Sequence, residues 1–129
     1  MLMRVFLVAS SILLPLHVDA ACTFGNLQGR YVAMFAGEFS GLWQRCNLKL
    51  DSNGRATGSC LDGTGAIFQA DPVQFSITGN CRLSGRSDNG FNSFFLRVEK
   101  HKRGATGRFE FDDGNDFFEG PVVAVKRGK

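Results

Sequence analysis

The chain is short of proline, tryptophan and tyrosine, with three, one and one in 129 residues, and neither sign of charge dominates, the net being +3. So small an excess excludes a binder of nucleic acid, which needs a strong basic surplus. Beyond residue 20 no apolar run approaches the roughly 18 residues of a membrane-spanning helix. No segment there keeps a helical apolar period over three turns. Histidine is almost absent too: His101 is the only one after residue 20, and no serine or carboxylate is placed to partner it. The four cysteines include no Cys-x-x-Cys pair, which leaves thiol redox catalysis and zinc without ligands. The expectation is a chain with no catalytic residue, no metal and no cofactor.

What is present begins with an export signal. Met1–Ala20 has Arg4 near its start, an apolar stretch from Val5 to Leu16, and Val18-Asp19-Ala20 as the small-x-small pattern read by signal peptidases. Cleavage after Ala20 leaves residues 21–129 as a single domain in the periplasm or outside the cell. In that oxidising setting an even cysteine count points to disulfides. A lipid anchor at Cys22 is the alternative. Against it, Asp19 stands where an aliphatic residue belongs, and lipidation would leave three cysteines.

Sixteen glycines and thirteen phenylalanines point to strands and tight turns. From Val73 to Leu83 the odd positions are mostly apolar and the even ones polar, as in a strand with one dry face. Strands are expected at 30–36, 42–51, 55–61, 66–70, 73–83, 91–99, 104–111 and 117–125. About eight strands with turn signals every 8–14 residues suggest an all-β fold, a small antiparallel up-and-down barrel, with a β-sandwich as the alternative.

Two turns fix register. A three-residue Ser52-Asn53-Gly54 loop pairs Leu50 with Ala56 and Leu48 with Gly58, keeping one face apolar. It also sets Cys46 opposite Cys60. Of the three pairings four cysteines allow, this selects Cys46–Cys60 and leaves Cys22–Cys81. A Gly114-Asn115 turn sets Phe111 against Phe118 and Phe109 against Gly120, alternating large and small as a narrow interior requires. It also sets Glu110 against Glu119, which is unfavourable. Gly58, Gly79 and Gly107, each after Thr in a recurring Ala/Ile-Thr-Gly motif, are expected on apolar faces, bending strands or admitting rings. The interior is expected to be filled by Phe, Leu and Val.

Gln28-Gly29-Arg30-Tyr31 opens the first strand and Val125-Lys126-Arg127 closes the last. A Gly-x-aromatic start and a basic residue after the final strand resemble the calycin barrels: lipocalins, avidins and the small bacterial inhibitors built like them. The resemblance implies a terminal arginine packed over the first-strand aromatic, shutting the base. Tyr31 replaces the usual tryptophan, and Trp43 lies elsewhere, so biotin binding is not implied.

A meander sorts the charges. Arg55, Lys100, His101, Lys102, Arg103, Lys126 and Arg127 fall at one end, with loops 51–54, 71–72 and 100–103. Glu38, Asp62, Asp88, Asp112, Asp113 and Asp116 fall at the other, with loops 37–41, 62–65, 84–90 and 112–116. Such polarity would orient the barrel against a charged partner. Asp112-Asp113-Gly114-Asn115-Asp116 could offer oxygen to calcium, yet it is also what a hairpin turn demands. Phe39, Phe91, Phe95 and Phe117 fall on loops or wet faces, as a partner surface or as packing beneath loops. Arg45, Asn47, Lys49, Arg97 and Glu99 would meet lipid in a membrane-embedded barrel, which disfavours one.

The expectation is therefore an exported, non-enzymatic binding module of a bacterial envelope, acting through loops at one barrel end on an unknown protein or an envelope polyanion. The alternative is an inhibitor of an exported protease or lysozyme. A small-ligand carrier stands third, and it would need an interior cavity of roughly a few hundred cubic ångströms.

Overall fold

The computed structural model describes residues 22–37 and 43–129. The signal segment, Glu38 and Phe39 lie outside them. Among the described residues one short helix, α1 (Phe24–Leu27), precedes nine strands: β1 (Gly29–Ala36), β2 (Trp43–Leu50), β3 (Arg55–Asp62), β4 (Ile67–Gln69), β5 (Val73–Ile77), β6 (Arg82–Ser87), β7 (Asn92–Val98), β8 (Gly104–Asp112) and β9 (Phe117–Gly128).

Eight of the strands close an antiparallel barrel. The order β2-β1-β9-β8-β7-β6-β5-β3 is completed by a β2–β3 pairing. Both expected disulfides are present, Cys22–Cys81 and Cys46–Cys60. The Ser52–Gly54 loop has the expected register, Leu50 facing Ala56 and Leu48 facing Gly58. Asp51 secures it by accepting from Asn53 N at 2.8 Å and Arg55 N at 3.0 Å. Gly54 has φ +86, and a Cβ there would lie 2.6 Å from the Phe24 ring, so the turn needs glycine twice over. Phe111 faces Phe118 and Phe109 faces Gly120, as expected. Glu110 does face Glu119, and Arg108 compensates, 2.7 Å from one carboxylate and 3.6 Å from the other.

The segment 73–83 is a correction. It is not one strand: β5 ends at Ile77, and Thr78–Cys81 form a turn, Cys81 N donating to Thr78 O at 3.0 Å. Cys81 takes φ 58, left-handed, and is tied by its disulfide to Cys22. Alternation in sequence runs unbroken through this turn, which is why it reads as a strand. The break expected at 71–72 is not an end loop. β4 and β5 run in the same direction along β3, Cys60 facing Phe68 and Ala56 facing Val73. The register slips by one residue at Ala70–Pro72, where Pro72 has no N–H to give a ladder. They share one strand position, and the expected loop 84–90 is largely β6. Two misplaced breaks thus left the number of strand positions right.

Of the three motif glycines, Gly58 and Gly107 do lie where backbones approach. A Cβ would stand 2.0 Å from Asn47 O and 1.9 Å from Phe95 O, respectively. Gly79 lies instead in the turn, with nothing near it.

Up-and-down order sends the turns alternately to two ends. α1, the turns 51–54, 78–81 and 99–103, and the C-terminal residues form the base. The turns 63–66, 88–91 and 113–116 form the other end. Following the pairing once around the wall brings it back about ten residues displaced, the stagger of tilted strands in an eight-stranded barrel.

The base is sealed. Thr23 caps α1, its Oγ1 accepting from Asn26 N at 3.2 Å, and Leu27, 2% exposed, plugs the barrel. Leu50, Ala56, Leu83, Val98 and Ala105 pack around it. Tyr31 Oη donates to Leu27 O at 2.5 Å. The cation over the Tyr31 ring is Lys126, 6.0 Å from its centroid, in the role the calycin resemblance would give Arg127.

Candidate functional site

Inward-facing positions above the plug are almost all apolar. Phe35, Phe94 and Phe109 meet edge-on or stacked at 5.0–6.3 Å between centroids, and Phe111 stacks on Phe118 at 4.6 Å. This makes an aromatic wall across β1, β7, β8 and β9. Opposite it stand Leu48, the Cys46–Cys60 bridge and Phe68.

These side chains do not fill the barrel, which corrects the expected packed interior. A cavity of about 430 Å³ runs from Leu27 to the upper end. Phenylalanines on neighbouring strands pack against one another along the wall, and other inward residues are short: Ala33, Ala56, Cys46 and Cys60. Sequence alternation identifies which residues face inward but says nothing of the space between walls.

The upper end is looser and more polar. Trp43, 41% exposed, lines the cavity with Gln44, Gln69, Asp71, Asn89 and Asn92. Among the described residues β4 pairs only with β3, so beside it the wall is completed by the 88–91 turn rather than by a strand. Asn89 N donates to Asp71 Oδ2 at 2.8 Å and Asp88 N to Pro72 O at 2.9 Å. Ser87, buried, donates to Asn89 Oδ1 at 2.7 Å and accepts from Asn92 N at 3.0 Å. Sequence reasoning missed this rim. Its signal was Pro72 flanked by Asp71, with Asn89 and Asn92 across a turn, which reads as ordinary loop chemistry.

Lys100, His101, Lys102 and Arg103 form the β7–β8 turn at the base. They lie beside Lys126 and Arg127, and Lys126 N donates to Arg103 O at 2.7 Å. Glu99 closes that turn by accepting from Arg103 N at 2.7 Å, a bond that lowers the pKa of its carboxyl. Arg55 and Asp88, expected at opposite ends, are a correction: they form an ion pair, with a second contact at 3.2 Å. Strand tilt brings the start of β3 within reach of the β6–β7 turn. Asp62, Asp112, Asp113 and Asp116 are at the upper end, and the first three have structural work. Asp62 accepts from Thr64 Oγ1 at 2.6 Å and Ala66 N at 3.1 Å, the hydroxyl bond chief among those that lower its pKa. Asp113 accepts from Asp116 N at 2.8 Å and Asn115 N at 2.9 Å, with the same effect. Asp112 accepts from Gly114 N at 2.9 Å. The segment 112–116 is thus a hairpin turn held by its own carboxylates.

Outside, Arg45, Asn47, Lys49, Arg97 and Glu99 are exposed. Among the described residues no helix is long and apolar enough to cross a membrane. Phe91, Phe95 and Phe117 are exposed, with Arg108 5.1 Å over the Phe95 ring and Phe91 6.1 Å from Phe111.

No family model and no curated protein matches the chain. A solved structure does resemble it: a de novo designed fluorescence-activating β-barrel, at a TM-score of 0.61 and 16% identity, covering 85% of this chain and 99% of that one. The likeness establishes a small closed barrel and does not single out the calycins.

Proposed function

We propose that this protein is an exported, non-enzymatic binding barrel that holds a small, mostly apolar molecule in its interior. The reading last in order from sequence thereby becomes the first. The cavity carries the argument. An apolar space of about 430 Å³ lacks the packing contacts that a folded interior of this size normally makes. Water is a poor filler, because the deep wall offers it few polar partners. An apolar guest restores the missing contacts. Two disulfides fit an oxidising, exported setting.

Native mass spectrometry of the mature protein, purified gently from its own envelope, tests this. A small-molecule adduct is expected, and it should be missing from Ala124→Leu, which places a larger side chain into the same space. A bare protein, showing no uptake of any apolar fluorescent probe afterwards, would sink the reading.

The cation cluster at the base favours a second contact, with an anionic envelope surface, through Lys100, Lys102, Arg103 and Arg127. Loss of pull-down by lipopolysaccharide or peptidoglycan when these become glutamine would support it.

A further inference from the structure

Among the described residues that line the space, Asp71 alone is charged. It is half-buried, placed where β4 gives way to β5 and the wall is least complete. Its Oδ2 accepts from a neutral donor, Asn89 N, at 2.8 Å. Among the described residues it has no ion-pair partner. Arg55 lies within reach of its field, but both terminal guanidinium nitrogens of Arg55, Nη1 and Nη2, are bonded to Asp88. The other polar groups at that level are neutral, the amides of Gln69, Asn89 and Asn92 and the Ser87 hydroxyl.

Two further features point the same way. Trp43 and Phe68, part-exposed, line the cavity and offer ring faces that attract cations. The turns at this end bring Asp62, Asp112 and Asp113 against Arg86, which is bonded to Gly90 O, whereas the cations of the 99–103 turn and the C-terminus lie at the sealed base.

We infer that the ligand is an amphiphile with an apolar body and a cationic head, the body among the phenylalanines and the head beside Asp71. This rests on the cavity being the binding site. A half-buried carboxylate beside an apolar wall attracts a cation and repels an anion more strongly than the same charge in bulk water. The preference runs against the net charge of +3, which by itself would favour anions. Its sign is therefore diagnostic.

The test is titration calorimetry of the oxidised mature protein with decyltrimethylammonium, decanol and decanoate, each below its micelle concentration, in about 0.15 M salt to suppress long-range attraction. Decyltrimethylammonium should bind on the order of tenfold more tightly than decanoate, with decanol between them. Asp71→Asn keeps the shape and an acceptor for Asn89 N. It should bring the cation and the anion to within about threefold of each other, while decanol binds as before and so reports an intact fold. Equal binding of all three, tightest binding of decanoate, or a preference that survives Asp71→Asn would overturn the inference and leave the cavity reading standing. No binding by any of the three, to protein freed of endogenous ligand, would overturn both.

Discussion

The two halves of this barrel are built on opposite plans. At the base, a helical turn is driven into the opening, Leu27 fills the axis, and Tyr31, Lys126 and the Cys22–Cys81 bridge hold it there. Around the cavity, the same alternation of inward side chains leaves about 430 Å³ open, and the rim is amides, a carboxylate and a tryptophan. Both halves satisfy the backbone by closure, so neither is a sheet waiting for a partner apart from the outer edge of β4. The difference is in what fills the middle. The base carries the packing that supports the fold, and the upper half is free to forgo packing because the base does not. If so, substitutions should separate the two: base variants should lower stability, and cavity variants should alter what binds.

The largest effect should come from the staples. Cys22–Cys81 spans 59 residues and Cys46–Cys60 spans 14. By loop length the first is worth about 4 kcal/mol and the second about 3 kcal/mol. Replacing Cys22 and Cys81 together by alanine should lower the urea unfolding free energy by more than replacing Cys46 and Cys60. The reverse order would mean that the cavity wall, not the plug, carries the fold.

Next is a direct pairing of plug and mouth. Leu27→Ala removes a fully buried side chain from the plug and should cost about 3 kcal/mol. Trp43→Ala, at a position 41% exposed, should cost under about 1 kcal/mol while weakening ligand retention. Equal losses of stability in the two variants would erase the distinction.

How much of this was legible in the sequence differs between the halves. The hairpins at 51–54 and 112–116 carried their turn type in their own residues, and from them followed the register, the Cys46–Cys60 pair and, by elimination, Cys22–Cys81. The 78–81 turn was not legible because Thr-Gly-Asn-Cys keeps the apolar alternation in step across a reversal. Leu27 precedes the first expected strand and gave no sign of being a plug. The cavity was the least legible of all. Inward residues can be counted from a pattern, but the width of the barrel depends on its stagger, which no single hairpin shows. Charge placement lay between: chain order sent the 51–54, 100–103, 62–65 and 112–116 turns to the right ends but put 71–72 at the base in place of the 78–81 turn, and the tilt that joins Arg55 to Asp88 is a property of the closed wall.

The smallest effect concerns the seam between plug and wall. Tyr31 Oη donates to Leu27 O, and burial raises the Tyr31 pKa above its ordinary value of 10.0. A raised pKa means the folded state holds the phenol proton more tightly than the unfolded chain does. That contribution is complete below pH 10.0 and is lost as pH climbs from there through the folded-state value. Tyr31→Phe should therefore cost about 1 kcal/mol at neutral pH, from the lost hydrogen bond. The gap from the wild type should narrow above pH 10.0, because only the wild type has a phenol to ionise. A gap that stayed constant, or widened, with alkaline pH would mean that the Tyr31 hydroxyl does not lock the plug, and that the base is sealed by Leu27 and the disulfide alone.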